Sequence, residues 1–145
     1  MAITVLAAIT DQGRAAFADL TVSGTSFVVS QFEVGSGGHD PGNPIVALTP
    51  DTSLGELPQI TFGPEPVDEA SLPDDLYTPE FDCYLQANEA VGELSNIGLL
   101  AVYNDTDVNE AAGLVGETFL FAIGNFPLRV KVDTEVVEFT VSVIF

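Results

Sequence analysis

The sequence predicts a mainly β fold, an antiparallel β-sandwich or small barrel with one short N-terminal helix and a long proline-rich loop. Apolar and polar residues alternate in several short runs separated by turns, and this alternation is typical of half-buried strands. A helical pattern occurs only near the N-terminus, and eight of the nine prolines fall between residues 35 and 80. The length of 145 residues fits one domain, residues 1–145, with a single core.

The first elements are a helix and a strand. Thr10 is a good N-cap and Asp11 suits the positive end of a helix, so we predict a helix from about residue 11 to about residue 20. Gly24 ends this region, and residues 25–34 then alternate as a strand. The alternation places Val28, Ser30, Phe32 and Val34 on one side and Phe27, Val29, Gln31 and Glu33 on the other.

Residues 35–80 form a Pro/Gly-rich acidic excursion. Proline disfavours helix and central strand, so we expect regular structure only in short pieces such as residues 59–62. The glycines of residues 35–38 predict a turn that uses positive φ angles. Two interpretations of the excursion stay open: a solvated acidic loop, and an arm that docks on a neighbouring subunit.

The second half returns to strand patterns. Residues 81–86, 97–103, 119–123 and 128–132 predict four strands, and a polar turn follows the second of them. The clearest alternation of all runs from Val137 to the C-terminus. Because the chain stops inside this pattern, we expect the C-terminus to be buried or paired.

The charge balance excludes one class of function. Twenty-two Asp and Glu face three basic residues, Arg14, Arg129 and Lys131, for a formal net charge of −19. Nucleic-acid binding needs Lys and Arg to neutralise phosphates, and anionic membrane surfaces attract polybasic segments. We therefore expect neither nucleic-acid binding nor attraction to anionic membranes. No apolar run approaches the ~20 residues needed to cross a bilayer, so we expect no membrane insertion. The first residues lack the positive start of a signal peptide, so we expect folding in a cytosol.

Residues suited to catalysis are few. His39 lies close to Ser36 and Asp40, but three residues this near in sequence do not generally reach the geometry of a catalytic triad. We predict no catalytic residues, no cofactor and no enzymatic activity. His39 is interpreted as a solvated loop histidine, with a pH-responsive or metal-touching role as the alternative. Cys83 alternates with apolar neighbours and is interpreted as a small buried hydrophobe.

One stretch partly matches a calcium-binding loop. Asp105, Asp107 and Asn109 occupy its first three ligand positions. Glu110 stands where glycine is required, and Gly116 stands where a bidentate Glu should be. We therefore predict no dedicated metal site, and the first three residues remain weak calcium candidates.

Five short sequences follow one another along nearly the whole chain. They are ITDQG at residues 9–13, the strand 28–34 running into GSGG, ELSNIGLL at 93–100, LFAIGNFP at 120–127 and the C-terminal strand. Their order resembles the N-terminal domain of phage tail-collar fibre proteins. In that family a T-x-x-G helix start precedes a strand ending in V-G-x-G, and E-I-G-L and L-x-A stretches precede the closing strand. Asn96 stands where that family tends to have an acidic residue.

The resemblance implies a structural virion protein at a tail tip, which joins fibres or receptor-binding proteins to the baseplate. Its implied partners are other tail or baseplate proteins and fibre subunits, and it implies a homo-oligomer, with a trimer favoured. The expected location is the virion tail, after assembly in the host cytoplasm. Because the fibre shaft that normally follows this domain is missing, an adaptor or baseplate role is favoured. The alternative is a small β-sandwich that binds carbohydrate or calcium on its acidic face.

Overall fold

The computed structural model describes residues 1–73, 76–104 and 117–145. Within these ranges the chain forms one helix, α1 (Asp11–Ser23), and ten strands. The strands are β1 (Ala2–Ile9), β2 (Phe27–Gly35), β3 (His39–Asp40), β4 (Asn43–Ala47), β5 (Ile60–Pro66), β6 (Glu69–Ser71), β7 (Glu80–Leu85), β8 (Gly92–Tyr103), β9 (Thr118–Lys131) and β10 (Val137–Ile144).

Eight of these strands form one sheet, which curls into a half-barrel. Their order is β5-β2-β8-β9-β1-β10-β7-β6, and β3 and β4 pair separately. All neighbours in the large sheet are antiparallel except β1 and β10, which run parallel. The prediction of a mainly β fold with one N-terminal helix is confirmed. The sequence analysis did not identify β1 as a strand, although it lies near the middle of the sheet.

The predicted helix is confirmed, and Thr10 and Gly24 cap its two ends. The Thr10 hydroxyl accepts a hydrogen bond from the Gly13 N–H at 3.0 Å, which is the N-cap contact expected at this position. Gly24 adopts a left-handed φ of +74°, and its N–H donates to the Leu20 carbonyl at 3.0 Å. The helix therefore continues to Ser23, three residues beyond its predicted end.

The predicted faces of β2 are wrong at its start. Phe27 and Val29 pack against the main core, whereas Val28 is exposed. Further along, Phe32 and Val34 share one side of the strand, as predicted, and this side is buried in the same core. The register with β8 shifts between Val29 and Gln31, and such a bulge changes which residues face inward.

Two apolar clusters lie on opposite faces of β8 and β9. The larger one takes alternate residues of the central strands: Ile3, Val5, Ala7 and Ile9 from β1, and Val137, Phe139, Val141 and Val143 from β10. The smaller one joins Leu57 to Leu120 and Ile123, with Leu54 and Leu100 packed against it. The segment 51–58 therefore covers the second face of the sheet.

Between the end of β2 at Gly35 and the start of β7 at Glu80, the described residues contain two edge strands and a separate hairpin and no central strand, as the proline content predicts. The short piece predicted at residues 59–62 lies at the start of β5. In contrast, the two strands predicted at residues 119–123 and 128–132 are one continuous strand, β9. The expectation that the C-terminus is buried or paired is confirmed by pairing, because Ile144 of β10 pairs with Ala8 of β1. The last residue, Phe145, is exposed but makes an edge-on contact with Phe17 at 5.3 Å.

Candidate functional site

The most exposed apolar strand of the structure lies in the two-stranded sheet of β3 and β4, residues 39–47, which we call the hairpin. Asp40 turns its tip by accepting a hydrogen bond from the Gly42 N–H at 2.9 Å. Ile45 is 78 % exposed and Val46 is 43 % exposed. Since successive side chains of a strand point to opposite faces, one face of β4 is open to solvent at Ile45 and the other is only partly covered at Val46.

Four hydrogen-bond contacts fix the base of the hairpin, and three of them join it to side chains of the large sheet. The Leu48 N–H donates to the Gly38 carbonyl at 2.9 Å, and the Asn125 side-chain amide donates to the Leu48 carbonyl at 2.9 Å. The Gly38 N–H donates to the Ser95 hydroxyl at 2.8 Å, and His39 Nδ1 lies 2.9 Å from the same oxygen. A fixed base therefore supports an exposed apolar tip.

Ser95 is the centre of this base and is fully buried. Its oxygen accepts from the Gly38 N–H, so its own proton is available to His39 Nδ1 when the imidazole is neutral. The interpretation of His39 as a solvated loop histidine is wrong, because the ring is half-buried and bonded to Ser95. Ser95 acts here as an anchor, since full burial keeps its hydroxyl away from any substrate.

The glycines before the hairpin are required for space. The glycines with positive φ in the described residues are Gly24, Gly63 and Gly92, so the expectation of positive φ at residues 35–38 is wrong. A Cβ atom on Gly35 would lie 2.5 Å from the Gln59 carbonyl oxygen, and one on Gly38 would overlap the Ser95 carbonyl oxygen. These glycines let the chain cross its neighbours at backbone contact distance.

A polar cavity of about 350 Å³ lies beside the hairpin base. Ser36, His39, Gln59 and Glu93 bring a hydroxyl, an imidazole, an amide and a carboxylate to its wall. The Ser36 hydroxyl donates to Gln59 Oε1 at 3.3 Å. Ser36, His39 and Asp40 each make a different contact, and no hydrogen bond joins them within the described residues.

Two buried polar groups lie near this region. Glu33 on β2 is only 8 % exposed, and its burial, together with the charge of Glu56, raises the pKa of its carboxyl. Asn96 on β8 is fully buried; its amide donates to the Pro58 carbonyl at 2.9 Å, and its Oδ1 has no hydrogen-bond partner. The Asn96 amide helps to fix the segment 51–58 against the sheet, and its unpartnered buried oxygen is the cost in desolvation.

The remaining predicted residues divide into two groups. Cys83 is fully buried in β7, which confirms its interpretation as a small hydrophobe, and burial raises the pKa of its thiol to about 12. The calcium candidates Asp105, Asp107 and Asn109 lie outside the described residues. Within the ranges that the structure describes, no three His, Cys, Asp or Glu side chains are grouped closely enough to hold a metal ion.

Ser95 and Asn125 were not predicted as site residues. Ser95 bonds to Gly38, 57 positions earlier, and Asn125 bonds to Leu48, 77 positions earlier. A single serine or asparagine in a strand carries no local signal of such a contact.

Comparison of the chain with protein-family models, with curated proteins and with solved structures finds no match. In the described part of the chain, no helix has the length and apolar character needed to cross a bilayer.

Proposed function

We propose that this chain is a structural protein of a phage or virus tail tip, which joins fibres or receptor-binding proteins to the baseplate. Its partners in this proposal are other tail or baseplate proteins and fibre subunits, and it acts as a homo-oligomer, with a trimer favoured. It works in the virion tail after assembly in the host cytoplasm, without catalysis, nucleic-acid binding or membrane insertion.

One observation supports this role most strongly: the hairpin presents apolar side chains to solvent from a fixed base. An exposed strand that carries Ile45 and Val46 is a template for contact with another protein. The bonds through Ser95 and Asn125 hold it in place before any partner arrives, so little ordering entropy is lost on docking. The order of the short sequences that resemble tail-collar fibre proteins supports a phage tail as the assembly to which the chain belongs.

The test is the mass of the protein in solution, alone and with its candidate tail partners. Sedimentation velocity at micromolar concentration should show an oligomer, or a complex with a neighbouring tail protein. Ile45→Asp combined with Val46→Asp should reduce this mass to that of the monomer. Val22→Asp is the matched control, because Val22 is 88 % exposed on α1 and lies outside the hairpin. A wild-type chain that stays monomeric with all its neighbours present would contradict the proposal.

A binding module for carbohydrate is the second candidate, and the polar cavity beside His39 favours it. Hydroxyl, imidazole, amide and carboxylate groups on one wall are suited to a polyol. A glycan array, followed by calorimetry on any hit, tests this function. A saturable site that Glu93→Gln weakens would support it over the assembly role.

A further inference from the structure

The large sheet contains a split between two neighbouring strands. β1 and β9 pair only through Ala7, Ala8 and Ile9, although β1 begins at Ala2 and β9 continues to Lys131. Beyond this short ladder the two strands separate around a cleft of about 590 Å³. Met1–Thr4 line one wall, and Phe126–Val130 line the other.

The strands separate because of the local structure of β9. Asn125 pairs with Asn96 and Arg129 pairs with Leu94, so residues 126–128 stand opposite the single residue Ser95. Extra residues in one strand bend it and strengthen its twist. Proline lies within the bend, at position 127, and has no N–H to donate to a neighbouring strand.

The edge of β1 that faces this cleft carries unpaired backbone groups. The Met1 carbonyl accepts from the Glu138 N–H of β10 at 2.8 Å, and on the other side the Thr10 N–H donates to the Phe121 carbonyl of β9 at 2.9 Å. Backbone groups of successive strand residues point to alternate sides, so odd-numbered residues of β1 face β10 and even-numbered residues face β9.

Ala2 and Thr4 therefore direct their N–H and C=O groups into the cleft, where no described strand pairs with them. These two residues present two donors and two acceptors along one edge. The stretch from Ala2 to Leu6 spans about 13 Å at roughly 3.3 Å per residue, which is enough for a segment of four or five extended residues.

The charge of the cleft is opposite to that of the whole chain. None of the lining residues is Asp or Glu, and Arg129 is exposed and makes no hydrogen bond or ion pair with the described residues. In contrast, Lys131 is buried and donates to the carbonyls of Gln86 and Ala87 at 2.9 Å. In a chain with 22 acidic and three basic residues, this wall offers an unpaired cation without a competing carboxylate.

We propose that this cleft binds an extended acidic segment of a partner protein, which adds as a strand beside β1 and places a carboxylate next to Arg129. The backbone of Ala2 and Thr4 provides hydrogen bonds that do not depend on sequence, and Arg129 selects the charge. This inference goes beyond the proposed function, because it concerns a different surface from the hairpin and holds whether or not the partner belongs to a tail.

Two labelled peptides test the binding. One alternates valine with glutamate over five residues, and the other alternates valine with lysine. Fluorescence anisotropy is measured at 0.15 M salt, where screening over about 8 Å limits the repulsion from the rest of the chain. We expect saturable binding of the glutamate peptide, and about tenfold weaker binding or none for the lysine peptide.

Matched variants and amide exchange locate the site. Arg129→Glu should weaken the binding of the glutamate peptide about tenfold or more. Arg14→Glu, the same change on α1, should leave this affinity unchanged. The Ala2 and Thr4 amides, which face the cleft, should become protected from hydrogen exchange when the peptide is bound. Both arginines are exposed, so unfolding curves that match the wild type confirm that the variants fold.

Four results would overturn the inference: no peptide binds, both arginine variants lose binding equally, the lysine peptide binds more tightly, or the two amides stay unprotected. Concentration-dependent self-association that Arg129→Glu abolishes would assign the cleft to a second copy of the chain and overturn the partner proposed here. These results are independent of the hairpin variants, which test the assembly role separately.

Discussion

Removing the Ser95 hydroxyl should loosen the base of the hairpin. In Ser95→Ala, the buried Gly38 N–H loses its acceptor at 2.8 Å and His39 loses its contact at 2.9 Å. An unsatisfied buried donor costs about 1–3 kcal/mol, and the free energy of unfolding should fall by about 2 kcal/mol. This loss is large compared with the effect of an ordinary surface substitution.

Denaturant unfolding measures the total loss, and amide exchange shows where it arises. The Gly38 amide should exchange faster in Ser95→Ala, while amides in β1 and β10 should change only with global stability. Ser53→Ala is the matched control, because Ser53 is exposed and its hydroxyl bonds only to Asp51 at 2.6 Å. We expect the free energy of unfolding of this control to lie within about 0.5 kcal/mol of that of the wild type. A Ser95→Ala protein with unchanged stability and unchanged protection at Gly38 would refute this account of the base.

Three further predictions concern the core. Burial raises the pKa of the Glu33 carboxyl above its ordinary 4.5, so the folded state holds the carboxyl proton more tightly than the unfolded chain does. The free energy of unfolding therefore falls as pH rises from the unfolded-state pKa to the folded-state pKa. Glu33→Gln should therefore gain stability over the wild type at neutral pH and lose this advantage near pH 4.5, as measured by denaturant unfolding at both pH values. The Cys83 thiol, with a pKa of about 12, should react with a disulfide reagent at pH 8 only after denaturant is added, and fast reaction of the native protein would contradict its burial. Gly124→Ala should cost about 1–3 kcal/mol because its Cβ would overlap the Val5 side chain, whereas Gly55→Ala, with 3.7 Å to the nearest side-chain atom, should be nearly neutral.

Elements defined by local chemistry could be predicted from the sequence. The alternation of β10 depends on which residues are apolar, and the ends of α1 are indicated by Thr10 and Gly24, whose capping contacts reach residues three and four positions away. The class of fold follows from such patterns. In contrast, the parallel pairing of β1 with β10 joins Ala2 to Glu138, and no local pattern indicates a partner so distant.

The errors have physical causes as well. Two strands were predicted where β9 is continuous. Pro127 is tolerated within β9 because it lies where β9 has already left β1, so its missing N–H costs no bond between these strands. The glycines of residues 35–38 were assigned to positive φ, whereas the structure uses them for close contact with Gln59, Pro58 and Ser95. The candidate site depends on contacts that only the folded chain brings together.

The central proposal is that this chain is a structural part of a tail. Cryo-electron microscopy of intact particles tests it most directly, because it shows both where the protein lies and what covers Ile45 and Val46. We expect density for this fold at the tail tip, with both side chains buried against a neighbouring subunit. Particles that lack the protein, or that hold it with the hairpin facing solvent, would contradict the account.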